Sequence, residues 1–245
     1  MDQNIQRKMI DSAGLTEDDT VIEIGPGLGA LTKELSMRAK KVIAIEKDKR
    51  LHEFLSKNLG FENLELIQGD ALKYNIKERV KVVGNLPYYI SSPILTRLLD
   101  NRMFIDSMFI TVQKEFAARL VAGPGSKDYS SLSCYAQFYA EPEILFTVKK
   151  NAFYPAPKVD SSFLKIDIRK QPLCLTDEKK LFKIIRTCFE KRRKTILSSL
   201  AWNKEFGTRE KISRILVRSG ISGERRPETV SLGEFVKLTE ASERG

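Results

Sequence analysis

The sequence predicts an α/β protein, with a doubly wound, mainly parallel sheet over residues 1–171 and a small all-helical C-terminal domain over 172–245. Two observations carry that prediction. Short apolar runs alternate with segments of helical spacing through the first part, the rhythm of successive βαβ units. Beyond Gln171-Pro172 the apolar residues keep helical spacing only, and basic residues crowd together.

Taken in order, Ile5 to Ala13 reads as a short helix, with Ile5, Met9, Ile10 and Ala13 near helical spacing. Thr20-Val21-Ile22-Glu23-Ile24 is a first strand, and the glycine-rich turn after it hands over to a helix through Ala30 to Leu35. Lys41 to Glu46 is a second strand, followed by a helix from Lys49 to Leu59; Leu64 to Gln68 is a third strand ending at Gly69-Asp70. Val80 to Gly84 is the fourth, followed by Asn85-Leu86-Pro87-Tyr88 and a helix from Pro93 to Leu99; Ser107 to Val112 is the fifth. Val121 to Ser126 is a loop, Ser131 to Tyr139 a helix and Ile144 to Val148 a strand. Phe153-Tyr154-Pro155-Ala156-Pro157 is a rigid extended connection, because proline fixes φ and restrains its predecessor. Phe163 to Ile168 alternates like a last strand, paired with Ile144 to Val148 as an antiparallel hairpin at the sheet edge. In the helical domain, Leu181 to Phe189, then Ile212, Ile215 and Leu216, then Leu232, Phe235 and Val236 carry the spacing.

Composition narrows the function. No apolar run reaches the roughly 18 residues of a membrane span, and the polar start at Met1-Asp2-Gln3-Asn4 shows no secretory signal, so a cytoplasmic location is expected. Cys134, Cys174 and Cys188 form no Cys-x-x-Cys pair, which points to reduced, mostly buried thiols rather than a disulfide framework or a zinc site. The single histidine, His52, falls in a charged helical stretch, and no metal is expected. The formal charge of +10 favours a polyanionic partner, and the dense runs Lys191-Arg192-Arg193-Lys194 and Arg225-Arg226 are where its phosphates would be met.

Two motifs carry chemistry. Gly25-x-Gly27-x-x-Ala30 is the relaxed form of the dinucleotide fingerprint of Rossmann-like sheets, with an acid, Glu46, ending the second strand where ribose hydroxyls are met. By itself this does not separate a nicotinamide enzyme from an S-adenosylmethionine enzyme. Glu23, two residues before the first glycine, suits a cationic amino-acid moiety better than a pyrophosphate; Pro26 stiffens the turn; Asp70 is an acceptor for an adenine amine. Asn85-Leu86-Pro87-Tyr88 then sets an amide, a proline-shaped backbone and an aromatic ring where a parallel strand opens into its ligand crevice. The Asn85 oxygen and a carbonyl near Leu86 would accept hydrogen bonds from the exocyclic amine of a base, and Tyr88 offers a stacking face, with Phe153 for the other face.

These residues identify a resemblance. Val21 to Thr32, Gly69-Asp70-Ala71, Gly84 to Tyr88 with Ile90 to Pro93, Phe153 to Ser161 and Phe189 to Leu197 together resemble the small-subunit ribosomal RNA adenine N6-dimethyltransferases, the KsgA family, over nearly the whole chain. The resemblance implies a monomer that moves methyl groups from S-adenosylmethionine to two adjacent adenosines near the 3′ end of small-subunit rRNA, in a 30S-type particle or its precursor. It implies that Glu23, Gly25 and Gly27 hold the methionine end of the cofactor, Glu46 its ribose and Asp70 its adenine. Asn85 serves cofactor and base, and Asn85, Leu86, Pro87 and Tyr88 with Phe153 form the target-base site. The erythromycin-resistance methyltransferases of large-subunit rRNA share the Asn-x-Pro-Tyr motif, whereas Pro157-Lys158-Val159-Asp160-Ser161 looks more like the small-subunit branch. Tyr89 stands where the family usually has asparagine. The sequence opens just after the basic, Gln- and Phe-containing segment with which family members begin, a segment on which full activity and RNA affinity depend in the family. A nicotinamide oxidoreductase and a non-catalytic ribosome assembly or RNA-binding factor are the rival readings.

Overall fold

The fold is given by a computed structural model that describes residues 2–174 and 176–243. In chain order the first unit's elements are α1 (Gln3–Ser12), β1 (Thr20–Ile24), α2 (Ala30–Ser36), β2 (Lys41–Glu46), α3 (Lys49–Asn58), β3 (Leu64–Gln68), β4 (Val80–Asn85), α4 (Ser91–Asp100) and β5 (Ile105–Gln113). There follow α5 (Lys114–Val121), α6 (Ser131–Tyr139), β6 (Ala140–Val148) and β7 (Ser161–Ile168), then α7 (Glu178–Glu190), α8 (Ile196–Trp202), α9 (Arg209–Ser219) and α10 (Leu232–Glu243).

The strands form one sheet in the order β3-β2-β1-β4-β5-β7-β6. Pairings among β1 to β5 are parallel, and β7 runs antiparallel to β5. The order reverses between β1 and β4, the switch point at which an open α/β sheet leaves a crevice beyond its strand ends. Strand β7 lies between β5 and β6, so the hairpin expected at the edge is present as neighbours, with β6 as the outer strand. Runs of Val, Ile and Leu buried on both faces account for these strands: Val21, Ile22, Val42, Ile43 and Val82 are all closed off from solvent. On one face Met9 and Ile10 of α1 and Leu31 and Leu35 of α2 pack with Val21, Val83 and Phe163.

Contacts divide the chain into Met1–Ala117 with Glu141–Ile168, and Ala118–Ala140 with Arg169–Gly245. This corrects the boundary expected at 171 for one segment. Residues 118–140 join the helical unit, because α6 turns an aromatic face onto α7. The Tyr135 and Phe138 rings stand 5.0 and 5.3 Å from that of Phe182, edge to face, and the Tyr139 hydroxyl donates to Glu178 at 2.7 Å. Side-chain caps fix where α3 and α7 begin: Asp48 accepts from the Arg50 amide at 2.7 Å, and Asp177 from that of Lys180 at 3.0 Å. Among the described residues no helix is long and apolar enough to cross a membrane.

Candidate active site

The loops that follow β1 to β4 build the site. Gly25 and Gly27 turn the chain at φ of 69° and 60°, a left-handed backbone that side chains resist. The turn is then tied to the neighbouring strand: the Gly25 amide donates to the Ile45 carbonyl at 3.1 Å, and the Gly27 amide to Glu46 Oε2 at 3.2 Å. Glu46 Oε1 accepts from the Asp48 amide at 2.8 Å, so this carboxylate joins two loops as well as facing the crevice.

Glu23 lies within β1 rather than in the turn, and it is wholly buried. Its Oε2 has no hydrogen-bond partner. Burial pushes its carboxyl up to about 7; the Thr32 side chain opposes the rise and the charge of Glu46 adds to it. Asp70, just past β3, is held in the opposite direction: Lys47 Nζ at 2.9 Å and the Leu72 amide at 3.0 Å keep its carboxyl below the usual carboxylate range.

Two cavities open here. The first, about 320 Å³, is walled by residues that include Gly25, Glu46, Lys47, Asp70, Pro87, Tyr89 and Ile94. Glu23 and Gly27 are not among the residues that line it. The second, about 210 Å³, is lined by Asn85, Leu86, Pro87, Tyr88, Phe153, Pro155 and Pro157. Pro87 belongs to both.

Asn85 lines the second cavity, and its Oδ1 is buried with no hydrogen-bond partner. The Leu86 amide donates to the Thr111 carbonyl at 3.0 Å, and the Pro87 carbonyl accepts from the Ile90 amide and the Ser91 hydroxyl, each at 3.1 Å, so the bend is pinned from both ends. Tyr88 is half-buried, with its hydroxyl 2.6 Å from Ser161 Oγ. Asp160 secures the connection that carries Phe153 by accepting from the Lys150 amide and from Lys149 Nζ, both at 3.0 Å. The motif thus has its expected residues together: an acceptor without a partner, an aromatic ring tied to Ser161, and a second ring from the proline-rich connection. Sequence reasoning gave no role to Lys47, Ser161 or Asp160, although the last two stand in the run that carries the resemblance.

The basic runs lie together in the helical unit. The Ile196 amide donates to the Arg225 carbonyl at 2.8 Å and the Leu197 amide to that of Gly223 at 3.2 Å, which brings the Lys191–Lys194 turn beside Arg225-Arg226. Their roles differ from a uniform phosphate grip. Arg225 is committed inside the fold: it holds both Glu234 oxygens and the Thr229 carbonyl, which draws the Glu234 carboxyl down to about 2. Arg192 bonds the Lys127 carbonyl and faces Glu228 at 3.5 Å. Lys191, Arg193, Lys194 and Arg226 are exposed.

Residues 1–240 match the family model described as ribosomal RNA adenine dimethylase. The ribosomal RNA small subunit methyltransferase A of Geobacillus thermodenitrificans is 42% identical, over 98% of this chain and 87% of its own length. That of Moorella thermoacetica is 43% identical, over 98% and 88%. Among solved structures, a dimethyladenosine transferase from Plasmodium falciparum superposes with a TM-score of 0.83 at 30% identity, over 96% of this chain and 94% of its own. The 23S rRNA methyltransferase ErmE superposes with a TM-score of 0.77 at 28% identity, over 99% and 98%. With its glycine turn, its row of strand-end acids and its Asn-Leu-Pro-Tyr bend in the places such a fold requires, the chain belongs to the ribosomal RNA adenine dimethylase family.

Proposed function

We propose that this protein dimethylates N6 of two adjacent adenosines near the 3′ end of small-subunit rRNA, acting as a monomer in the cytoplasm on a 30S-type particle or its precursor. The observation that carries this reading is Asn85, whose buried oxygen has no partner and which lines the second cavity with Tyr88 and Phe153, next to the acid-lined first cavity that shares Pro87.

The first cavity fits S-adenosylmethionine. Its row of acids from successive strand ends is what a nucleoside with a cationic tail needs: Glu46 for ribose hydroxyls, Asp70 for the adenine amine, and the Gly25–Gly27 turn, backed by buried Glu23, for the methionine end. When bound, that cofactor supplies an electrophilic methyl group on a sulfonium.

The remaining work falls to the chain's own residues. The exocyclic amine of adenine is a poor nucleophile because its lone pair is delocalised into the ring. Asn85 Oδ1 and the Leu86 carbonyl accept its two N–H bonds, and those bonds strengthen as the nitrogen becomes positive during attack. Tyr88, fixed through Ser161, and Phe153 hold the extruded ring between them, while Pro87 adds no competing N–H. Incubation of small-subunit particles lacking the modification with labelled S-adenosylmethionine tests the proposal. Label is expected in two adjacent adenosines as N6,N6-dimethyladenosine. The likeness to ErmE favours a second reading, large-subunit rRNA, which label in large-subunit particles alone would select.

A further inference from the structure

The sequence contains one tryptophan, Trp202, and the fold leaves it outside. It is the last residue of α8 and is 72% exposed. The helix that carries it is firmly seated: Ile196, Ser199 and Leu200 are buried, and Thr195 caps the first turn by accepting from the Ser198 amide at 3.3 Å. Just beyond, Asn203 accepts from the Glu205 amide at 3.1 Å, and Glu205 pairs with Lys183. The indole is therefore presented from a rigid corner.

Single exposed apolar side chains are common and carry no message by themselves. Here the ring has a partner: Lys191 Nζ stands 4.6 Å from its centroid. Lys191 opens the turn whose exposed members include Arg193 and Lys194. A large π surface and several cations therefore occupy one corner of the helical unit. A planar base matches the ring, and its phosphates match the ammonium and guanidinium groups. Within a paired duplex each base face is covered by its stacked neighbours, so the match is to an unpaired nucleotide. A membrane surface would call for an apolar patch around the ring, and the neighbours named here are cations.

We infer that Trp202, with Lys191 beside it, is a stacking platform for one unpaired nucleotide of the RNA, distinct from the adenosine to be methylated. The inference rests on the reading that this chain binds rRNA, and it adds a site made wholly by helical-unit residues. Because no other tryptophan contributes emission, the full-length protein reports on the site directly. Its tryptophan emission and the anisotropy of a labelled RNA are followed together, using a short unpaired RNA oligonucleotide and a fully paired duplex of the same length. The unpaired RNA is expected to quench Trp202 in step with binding, and the duplex to bind without quenching. Trp202→Ala is expected to weaken unpaired-RNA affinity about tenfold, with Trp202→Phe restoring most of it and the cofactor affinity of both variants unchanged. Binding of unpaired RNA with undisturbed emission, or equal affinity for Trp202→Ala, overturns this inference alone. A parent protein that binds no RNA by anisotropy overturns it together with the rRNA reading.

Discussion

A buried amide oxygen with no partner costs folding about 1–3 kcal/mol, and Asn85 Oδ1 is such an atom. A fold keeps that deficit where a ligand relieves it, so Asn85→Ala separates stability from function. The variant is expected to resist urea at least as well as the parent, since the orphaned acceptor is gone. Single-turnover methylation is expected to fall by about 10²–10³-fold, as for other donors and acceptors aimed at transition-state charge, while calorimetry shows S-adenosylmethionine bound nearly as before. Glu23 makes a second separation. In the folded chain it keeps its proton up to about pH 7, and in the unfolded chain it gives the proton up near 4.5. Between those values the native state holds one proton more, so rising pH works against folding. The contribution is fully present below 4.5 and gone once the pH passes 7, a loss on the order of 3 kcal/mol. Glu23→Gln carries no such proton. Urea titrations at about pH 5 and about pH 8 are expected to show the parent losing this stability relative to the variant.

At the scale of elements, β4 and β1 set the geometry of the bend. A Cβ on Gly84 would come within 2.7 Å of the Ile24 carbonyl oxygen and 3.3 Å of its nitrogen, both backbone atoms of the paired strand. Gly84→Ala is therefore expected to cost about 1–3 kcal/mol by urea midpoint, and to slow methylation further than that loss alone explains, because Asn85 follows directly. How these strands begin and end was legible in the sequence: β1, β2 and β3 have the bounds that their β-branched runs predict. Helices α5 and α8 went unread. Each is short and lies beside a stronger signal, the Gly-Pro-Gly loop for α5 and the basic run for α8. The membership of α6 was not legible either, because its periodicity gives a helix but not the partner that its aromatic face will choose. The site shows the same division. Asn85 and Glu46 end strands, and Asp70 and Tyr88 follow two or three residues beyond strand ends, positions that pattern reveals. Lys47 meets Asp70 across 23 residues and Ser161 meets Tyr88 across 73, pairings that exist only once the chain has folded.

Across the whole molecule, a formal charge of +10 predicts RNA binding that weakens steeply with salt, as each neutralised phosphate releases condensed counterions. Counting arginines and lysines overstates the grip, because some cations are already satisfied. Arg225 is the clearest: its guanidinium spans Glu234 and the Thr229 carbonyl and so fastens the start of α10 to the loop before it. Arg193 and Lys194 are exposed on the turn after α7. The double variant Arg193→Ala/Lys194→Ala is expected to lower the slope of log affinity against log salt by roughly 1.5, since each lost phosphate contact removes about 0.7–0.9, with the melting temperature unchanged. Arg225→Ala is expected to do the reverse, leaving the slope in place and lowering stability by about 1 kcal/mol as the half-buried clamp on Glu234 is released. Affinity measured across a salt series, alongside urea unfolding of the same proteins, distinguishes the two kinds of arginine. An unchanged slope for the double variant would take that turn out of the contact surface and leave the charge excess to be spent elsewhere on the molecule.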